Sequence, residues 1–296
     1  MSAQINENLL IQLFLDIDDF CKGYEKWQST QVSFPDIKDN WRSTLHRSEA
    51  MTIIVYYHHS GYKCFQYYYQ RLVEGELKSY FPTTYGYKYF LGLIPKCFDL
   101  LFLFAQWQCH NNQRTGIYYI DSKRLPVCHN KRIHNHQVFK AIAQRGKSSM
   151  GWFYGLKLHL VINNLGEINS FLFTSANFSD NNKAVLEYLL DGLQGACFGD
   201  KGYLSKLFEQ FYSNGLKLVS KIRRNMKNKL MPLHEKYQLM KRGVIESVND
   251  ILMTVCDLEH TRHRSPANAI THMVAAIVAY NYLPNKPTVI LNNLLN

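Results

Sequence analysis

The sequence lacks several motifs that would fix its class at once. Its seven Cys residues contain no C-x-x-C pair, so reduced thiols are a better interpretation than a disulfide framework. No G-x-S-x-G elbow occurs, which leaves a serine nucleophile with little support. Internal repeats and low-complexity segments are also missing, so a repeat architecture is excluded.

Targeting and membrane signals are equally scarce. The first 20 residues carry acids inside their apolar run and have no basic segment before it, which is not typical of a signal peptide. The most apolar late stretch, AITHMVAAIVAYNYL, is too short for a membrane span and contains His272 and Asn281. We therefore expect a soluble protein that does not associate with membranes.

Acidic residues are few relative to basic ones. The chain has 34 Lys and Arg against 23 Asp and Glu, a net charge of +11. This excess favours a polyanionic partner, nucleic acid first, because basic side chains gain free energy by displacing condensed counterions. A solvated positive surface without any such partner is an equally good interpretation of charge alone.

The hydrophobic pattern changes near residue 112. Residues 5–112 predict mostly helices, and Ser48 is expected to cap one of them. Residues 113–296 predict a mixed sheet flanked by helices, because short strands alternate with helical segments. Five strands are predicted, with the sequences GIYYI, WFYGLKLHLVIN, INSFLFTSA, GACFG and LKLVSKI. Ser179 or Asp180 is expected to cap the helix that follows the third strand, and a helix is expected from Tyr237 to about residue 255.

Three acids occupy notable places in this pattern. Asp121 ends the first predicted strand, Asp200 ends the fourth, and Glu246 lies on a late helix. If they converge, they would repel each other and resist ionisation unless a divalent cation were bound. Hard oxygen ligands suit Mg²⁺ or Mn²⁺, and two such ions can activate the nucleophile and stabilise the leaving oxygen of a phosphodiester. Taken singly, each acid is better explained as a turn, cap or solvated helix residue, because acids at strand ends are common turn formers.

Several segments together resemble a known family. The chain resembles bacterial insertion-sequence transposases with an Asp-Asp-Glu catalytic domain, and it looks most like the insertion-sequence 982 family. The resemblance rests on the segments YYIDSKRLPVCHNKRIHNHQVF, RGKSSMGWFYGLKLHLVIN, FGDKGY, KRGVIESVND and EHTRHRSP, and it extends upstream to SGYKCFQYYY.

The resemblance implies an RNase H-like α/β fold with a mixed five-stranded sheet, preceded by an α-helical region that binds DNA ends (residues 1–112). Residues 113–296 would form the catalytic domain, with Asp121, Asp200 and Glu246 as the catalytic, metal-binding acids. The implied activity is Mg²⁺-dependent cleavage of double-stranded DNA at the element's ends, followed by transfer of the 3′-hydroxyl to target DNA. A homodimer or larger assembly in the bacterial cytoplasm, associated with the nucleoid, is also implied.

Basic residues around these acids are the expected DNA contacts. They are Lys123, Arg124, Lys131, Arg132, Lys201, Lys241, Arg242, Arg262 and Arg264. Arg242 matches the Arg that related transposases carry four residues before the catalytic Glu. The chain departs from the pattern at Met253, where a Lys is expected seven residues after Glu246, and Lys241 is a possible substitute.

Other interpretations stay open beside this one. The cluster Cys128, His129, His134 and His136 matches none of the usual zinc spacings, so a basic loop is preferred there. His159 is expected to be structural, and the tyrosines at 67–69 are expected in a core or interface rather than stacked on bases. Two further functions remain, namely a nuclease on the same fold that does not join DNA, and an inactive DNA-binding copy.

Overall fold

The protein is described by a computed structural model that covers most of the chain. The described residues are 5–31, 41–148, 150–200, 207–220, 231–259 and 263–290. The chain divides into two compact units. The first unit contains Met1–Gln108 and Leu252–Tyr282, and the second contains Cys109–Ile251 and Leu283–Asn296.

The first unit is built from helices. They are α1 (Glu7–Thr30), α2 (Arg47–Tyr57), α3 (Phe65–Tyr68) with a following π-helix (Tyr69–Glu76), α4 (Tyr87–Leu93), a 3₁₀ turn (Ile94–Cys97), α5 (Phe98–Asn111) and α10 (Pro266–Asn281). Helix α1 buries one face through Leu10, Leu13, Ile17 and Cys21, the spacing predicted for it. The mainly helical character predicted for this part of the chain is confirmed.

Aromatic side chains form much of this first core. Tyr68 and Tyr69 are fully buried, whereas Tyr67 is 60% exposed. Ser48 was expected to cap α2, but the cap is His46, and Ser48 lies inside the helix, where its hydroxyl donates to Asp18 Oδ1 over 2.7 Å. The prediction failed because the capping box of His46 and Glu49 begins the helix earlier.

The second unit is a mixed sheet with helices. Its strands are β1 (Ile117–Cys128), β2 (Gln144–Ser148), β3 (Gly151–Asn163), β4 (Ile168–Ser175), β5 (Gly195–Gly199) and β6 (Leu216–Ser220). Its helices are a 3₁₀ turn (Asn130–Asn135), α6 (Lys183–Leu190), α7 (Phe208–Ser213), α8 (Leu233–Lys241) and α9 (Gly243–Thr254), whose last turn extends into the first unit.

The sheet has antiparallel and parallel parts. Its order is β2-β3-β1-β5-β6, and β4 also pairs with β3. Strand β1 is antiparallel to β3 and parallel to β5, which is parallel to β6. All five predicted strands are present, and β2 is a sixth that the sequence did not predict. Its sequence QRGKS is polar because only Gly146 on it is buried.

Each face of the sheet carries different helices. Tyr118, Ile120 and Cys197 pack with the leucines of α6 and with Phe211 of α7 on what we call the α6 face. The alternating residues, including Tyr119, point to what we call the α8 face, since the Tyr119 hydroxyl donates to Gln238 Oε1 of α8 over 2.5 Å. The Lys217–Glu235 ion pair also ties β6 to α8 on this face.

Three predicted boundaries are wrong. Strand β1 continues through Cys128 because its second half pairs with β3, so Asp121 is an interior strand residue rather than a strand end. Helix α6 is capped by Asn182, whose side chain accepts from the Val185 N–H, and not by Ser179 or Asp180. The late helical segment is two helices, which break at Arg242.

One described segment meets the length and composition test for a membrane helix. Tyr87–Asn111 has 25 residues, and an 18-residue stretch within it has a mean hydropathy of 1.4 and is 44% buried. A core helix of a water-soluble protein passes the same test. In the structure this segment is α4, a 3₁₀ turn and α5, so it is not one continuous α-helix.

Candidate active site

Asp121 lies on the α8 face of the central strand. Strand residues alternate between faces, so Asp121 shares its side with Tyr119, which contacts α8. Its cross-strand partner is Leu160, which is fully buried. The pattern of a buried apolar strand with one carboxylate therefore places an acid on a covered sheet face, where its charge needs a partner.

Arg242 lies between Asp121 and Glu246. Its Nη1 is 3.8 Å from Asp121 Oδ1, and its Nη2 donates to Glu246 Oε1 over 2.8 Å. The break between α8 and α9 falls at Arg242, and Glu246 follows one turn later on α9. Two of the three predicted acids are thus brought together around one cation.

The environment of Asp121 opposes its ionisation. Burial is the main cause and, despite the opposing effect of the nearby Arg242 cation, the pKa of Asp121 rises to about 6. The backbone N–H of Ser122 favours the charged form, whereas the Glu246 and Asp180 carboxylates disfavour it. An additional cation beside Asp121 would therefore be strongly favoured by the electrostatics.

Asn249 is a site residue that sequence reasoning missed. Its Nδ2 donates to Asp121 Oδ2 over 3.4 Å, and the residue is only 2% exposed. Its buried Oδ1 has no hydrogen-bond partner among the described residues. The three-residue spacing from Glu246 on one helix face was the signal that could have found it.

Asp200 directly follows β5, the parallel neighbour of β1. Tyr119 pairs with Phe198. Asp121 lies two residues after Tyr119, and Asp200 lies two residues after Phe198. Continuing this register places Asp200 on the same side as Asp121. Asp200 is exposed. Within the part of the chain that the structure describes, no three His, Cys, Asp or Glu side chains are close enough to hold one metal ion.

The residues around Asp121 nevertheless suit a hard cation. A guanidinium already lies between two carboxylates, burial raises the pKa of Asp121, and the buried Asn249 oxygen lacks a partner among the described residues. Carboxylate and amide oxygens are the ligands that Mg²⁺ and Mn²⁺ prefer. A metal ion bound between Asp121 and Glu246 would have to replace the ion pairs of Arg242.

A second polar cluster lies on the opposite face of the sheet. The Ser122 hydroxyl donates to Asp180 Oδ1 over 2.7 Å, and the buried Lys157 donates to Asp180 Oδ1 over 3.1 Å and to the Phe178 carbonyl over 2.8 Å. Ser122 follows Asp121 in the chain. The cluster therefore fixes β1 to the loop before α6 immediately beside the candidate acid.

His159 belongs to the same face as this cluster. It is fully buried, and its Nε2 lies 2.9 Å from Thr174 Oγ1. Burial is the main cause that lowers the pKa of His159 to about 4. A neutral buried imidazole agrees with the structural role expected for it. The four-residue Cys and His cluster at 128–136 forms no metal-binding group in the described structure.

The predicted DNA contacts lie on several different elements. Lys123 shares the α8 face with Asp121, whereas Arg124 pairs across the strands with Lys157 on the α6 face. Lys131 and Arg132 are exposed on the 3₁₀ turn, and Lys241 is exposed next to Arg242. Arg264 is an exposed residue of the first unit, and Lys201 and Arg262 lie outside the described residues.

The described residues define an α/β domain with a mixed sheet, in which Asp121 and Glu246 both form ion pairs with Arg242. Residues 111–266 match the family model of the transposase DDE domain, which is more than half of the chain. The chain belongs to the transposase DDE-domain family. Domains of this family generally depend on divalent metal ions and act on DNA. No curated protein and no solved structure matches the chain.

Proposed function

We propose that this chain is the transposase of a bacterial insertion sequence, most like those of the 982 family. It binds the terminal inverted repeats, cleaves DNA at the ends and transfers the freed 3′-hydroxyl to a target phosphodiester. The observation that carries this proposal is the grouping of Asp121 and Glu246 around Arg242, together with the position of Asp200 directly after β5, the parallel neighbour of β1.

The strand order supports an RNase H-like fold for this domain. Without β2, the order is β4-β3-β1-β5-β6, in which β3 is antiparallel to both β4 and β1, and β1, β5 and β6 are parallel. In such a sheet, the carboxyl-terminal ends of two adjacent parallel strands lie at the same edge. In this proposal Asp121 and Asp200 are contributed by those two strands.

Asp121, Asp200 and Glu246 are the residues that would hold Mg²⁺ or Mn²⁺. Such ions would supply Lewis acidity at the scissile phosphodiester and assist deprotonation of the nucleophile. Asn249 orients the Asp121 carboxylate through its amide, and Arg242 balances the acid charge in the metal-free protein. The Ser122–Asp180–Lys157 cluster holds the strand that carries Asp121.

DNA binding in this proposal extends beyond the acids. The predicted basic residues contact phosphates, and the helical part within residues 1–112 binds the element's ends. The protein acts in the bacterial cytoplasm, at the nucleoid, as a homodimer or a larger assembly that holds two DNA ends. The net charge of +11 supports a polyanionic substrate.

Replacing one acid tests the assigned roles. Asp121→Ala should lower Mg²⁺-dependent cleavage of labelled end DNA by at least about a hundredfold, since it removes a ligand of the cation that stabilises the leaving oxygen. Binding of the same DNA should stay within about twofold. The matched control is Asp191→Ala, an exposed acid at the end of α6. Cleavage and joining that persist in Asp121→Ala would show that the roles are wrong.

Two other functions share this site. A nuclease would cut DNA without joining it, and pre-cut ends incubated with target DNA separate the two, since only a transposase yields a joined product. An inactive copy is favoured by one observation: Met253 stands on α9, two turns after Glu246, where a cation is expected. If the copy is weakened by that loss, Met253→Lys should increase strand transfer.

A further inference from the structure

A long segment of the second unit contains no acidic residue. Between Ser122 and Gly166, 45 residues, there is no Asp or Glu, while the same segment has eight Lys and Arg. They are Lys123, Arg124, Lys131, Arg132, Lys140, Arg145, Lys147 and Lys157. The Lys157 charge is compensated by Asp180, which lies outside the segment. The other seven cations have no acid within the segment to compensate them, a composition that favours a polyanionic partner.

The β2–β3 hairpin projects from this segment as a fixed element. Gln144 pairs with Gly155, and Lys147 pairs with Trp152 next to the turn. A Cβ on Gly146 would lie 2.1 Å from the Ala176 carbonyl oxygen, so the hairpin backbone is seated directly against the end of β4. The Ser148 hydroxyl donates to the Gly151 carbonyl over 3.3 Å and closes the turn.

The end of this hairpin exposes large apolar side chains. Trp152 is 62% exposed and Met150 is 74% exposed. The Lys147 Nζ lies 5.8 Å from the centroid of the Trp152 ring, and Asn130 Nδ2 donates to the Trp152 carbonyl over 2.7 Å. The exposed Lys131 and Arg132 follow Asn130 on the same 3₁₀ turn. The exposed Trp152 ring thus has one cation, Lys147, beside it, and the contact of Asn130 with Trp152 links it to the turn that carries Lys131 and Arg132.

We propose that this hairpin end, defined by Lys147, Met150, Trp152, Lys131 and Arg132, is a second DNA-binding site. An unpaired base stacks on the Trp152 indole, and the three cations bind neighbouring phosphates. Stacking on an aromatic side chain is tolerant of sequence because every base has a π-face, and backbone cations add affinity that falls with salt. The site extends the DNA path of the proposed function and rests on that function only for its biological setting.

The sheet register gives the position of this site relative to Asp121. Leu160 pairs with Asp121, and Trp152 lies eight residues further along β3 on the same face because eight is an even number. At about 3.3 Å per residue this separation is about 26 Å. One DNA strand advances about 3.4 Å per nucleotide, so the hairpin end would contact DNA about eight nucleotides from the bond that is cut.

Binding measurements on the full chain test this inference. The probes are a fluorescently labelled 20-nucleotide single strand and the fully paired duplex of the same sequence. Trp152→Ala should weaken binding of the single strand by about 5- to 100-fold, the usual loss for one stacked base, and weaken duplex binding less. Trp152→Phe should restore most of the affinity, because it keeps an aromatic plane.

The matched control is Tyr212→Ala, since Tyr212 is an aromatic residue that is 63% exposed and lies on α7. It should change neither affinity. Lys147→Gln should reduce the slope of log affinity against log salt by about 0.7 for the single strand. Thermal melting of each variant confirms folding. If Trp152→Ala is unstable, Lys147→Gln keeps the site testable, because an unchanged salt slope in that variant would contradict it.

Two further results would overturn the site: single-strand affinity in Trp152→Ala within twofold of the wild type, or equal losses for single strand and duplex. Failure of the proposed function is a different outcome. In that case the wild-type protein binds these probes, Trp152→Ala loses single-strand affinity, and no DNA is cut with Mg²⁺ or Mn²⁺ by the wild-type protein or by Asp121→Ala.

Discussion

Asp121 is held in surroundings that disfavour its charge. Its side chain is 24% exposed, its strand partner is buried, and two other carboxylates disfavour its ionisation. The Arg242 guanidinium compensates only in part, since the pKa of Asp121 still rises to about 6. An ionised carboxylate in such surroundings lowers the stability of the folded protein unless a bound ligand compensates its charge.

The free-energy cost of ionising Asp121 in the folded protein should make the free energy of unfolding depend on pH. In chelator, the folded protein keeps the Asp121 proton up to about pH 6, whereas the unfolded chain loses it near pH 4. The native state thus binds more protons in this interval, and the Asp121 contribution to the unfolding free energy falls as pH rises from 4 to 6. Below pH 4 that penalty is absent.

Asp121→Asn should remove this penalty. At pH 7 in chelator we expect the variant to be more stable than the wild type by up to about 3 kcal/mol, and at pH 4 the difference should be near zero. Urea unfolding at a series of pH values measures it, with Asp191→Asn as the exposed control. A difference that is constant with pH would contradict the raised pKa.

Without a bound metal ion, the Arg242 guanidinium is the cation that forms ion pairs with Asp121 and Glu246. It donates to Glu246, and it is the largest influence that lowers the pKa of Asp121. Arg242→Gln should therefore cost about 1 kcal/mol of stability in chelator, a modest value because Glu246 is well exposed. In the variant, Mg²⁺ should raise the melting temperature more than in the wild type, because no ion pair has to be replaced.

Lys241→Gln is the control for this experiment, since Lys241 is the exposed neighbour and lies over the Tyr237 ring instead. Its Mg²⁺-induced rise in melting temperature should equal that of the wild type. An equal rise in Arg242→Gln as well would show that Arg242 and the metal ion do not compete for the same carboxylates.

At the scale of the elements, β1 is fixed from both faces of the sheet. Tyr119 bonds to α8 on one side, and Ser122 bonds to Asp180 on the other. The buried Lys157 strengthens the contact of β1 with Asp180. Removing one partner of an ion pair that includes a buried charge is costly, because the other charge is left without compensation. The strand that carries the candidate acid is therefore held before any substrate arrives.

This tie can be measured by a double-mutant cycle. Asp180→Ala leaves Lys157 buried without its counter-ion and should lower the unfolding free energy by about 3 kcal/mol. Adding Lys157→Met should recover part of the loss, giving a coupling energy of at least about 1 kcal/mol in urea unfolding. The exposed pair Lys183 and Glu187 is the control, with a coupling below about 0.5 kcal/mol. Equal couplings would contradict the structural role of Lys157.

The hydrophobic pattern of the sequence predicted the strands and helices that bury one regularly spaced set of residues. Five strands and the main helices could be read because their buried residues repeat with the period of a strand or helix. Strand β2 could not be read, since it lies next to β3 alone and buries one glycine. The second half of β1 was missed because its sequence SKRLPVC looks like a turn, and only pairing with β3 makes it extended.

The candidate site was readable only in part for a related reason. Asp121, Asp200 and Glu246 stand beside apolar runs and carry a recognisable spacing, whereas Asn249, Asp180 and Lys157 matter through contacts between distant segments. The break at Arg242 that places its guanidinium between two acids is also a tertiary effect, since residues 237–255 read as one helical pattern.

At the scale of the whole molecule, acids far apart in the chain have to meet for the account to hold. Asp121, Asp200 and Glu246 come from a central strand, its parallel neighbour and a helix that follows the sheet. The net charge of +11 is compatible with the DNA substrate that the family implies, and the family match covers all three acids. We propose that these three acids bind divalent metal ions together.

Metal-directed cutting of the polypeptide tests whether the three acids bind one metal site. Fe²⁺ bound in place of Mg²⁺, with ascorbate and peroxide, generates hydroxyl radicals that cut the backbone near the ion. We predict cuts near residues 121, 200 and 246 together, competed by Mg²⁺ and lost in Asp121→Ala. Cuts near one of these positions alone, or a pattern unchanged in Asp121→Ala, would contradict a shared metal site.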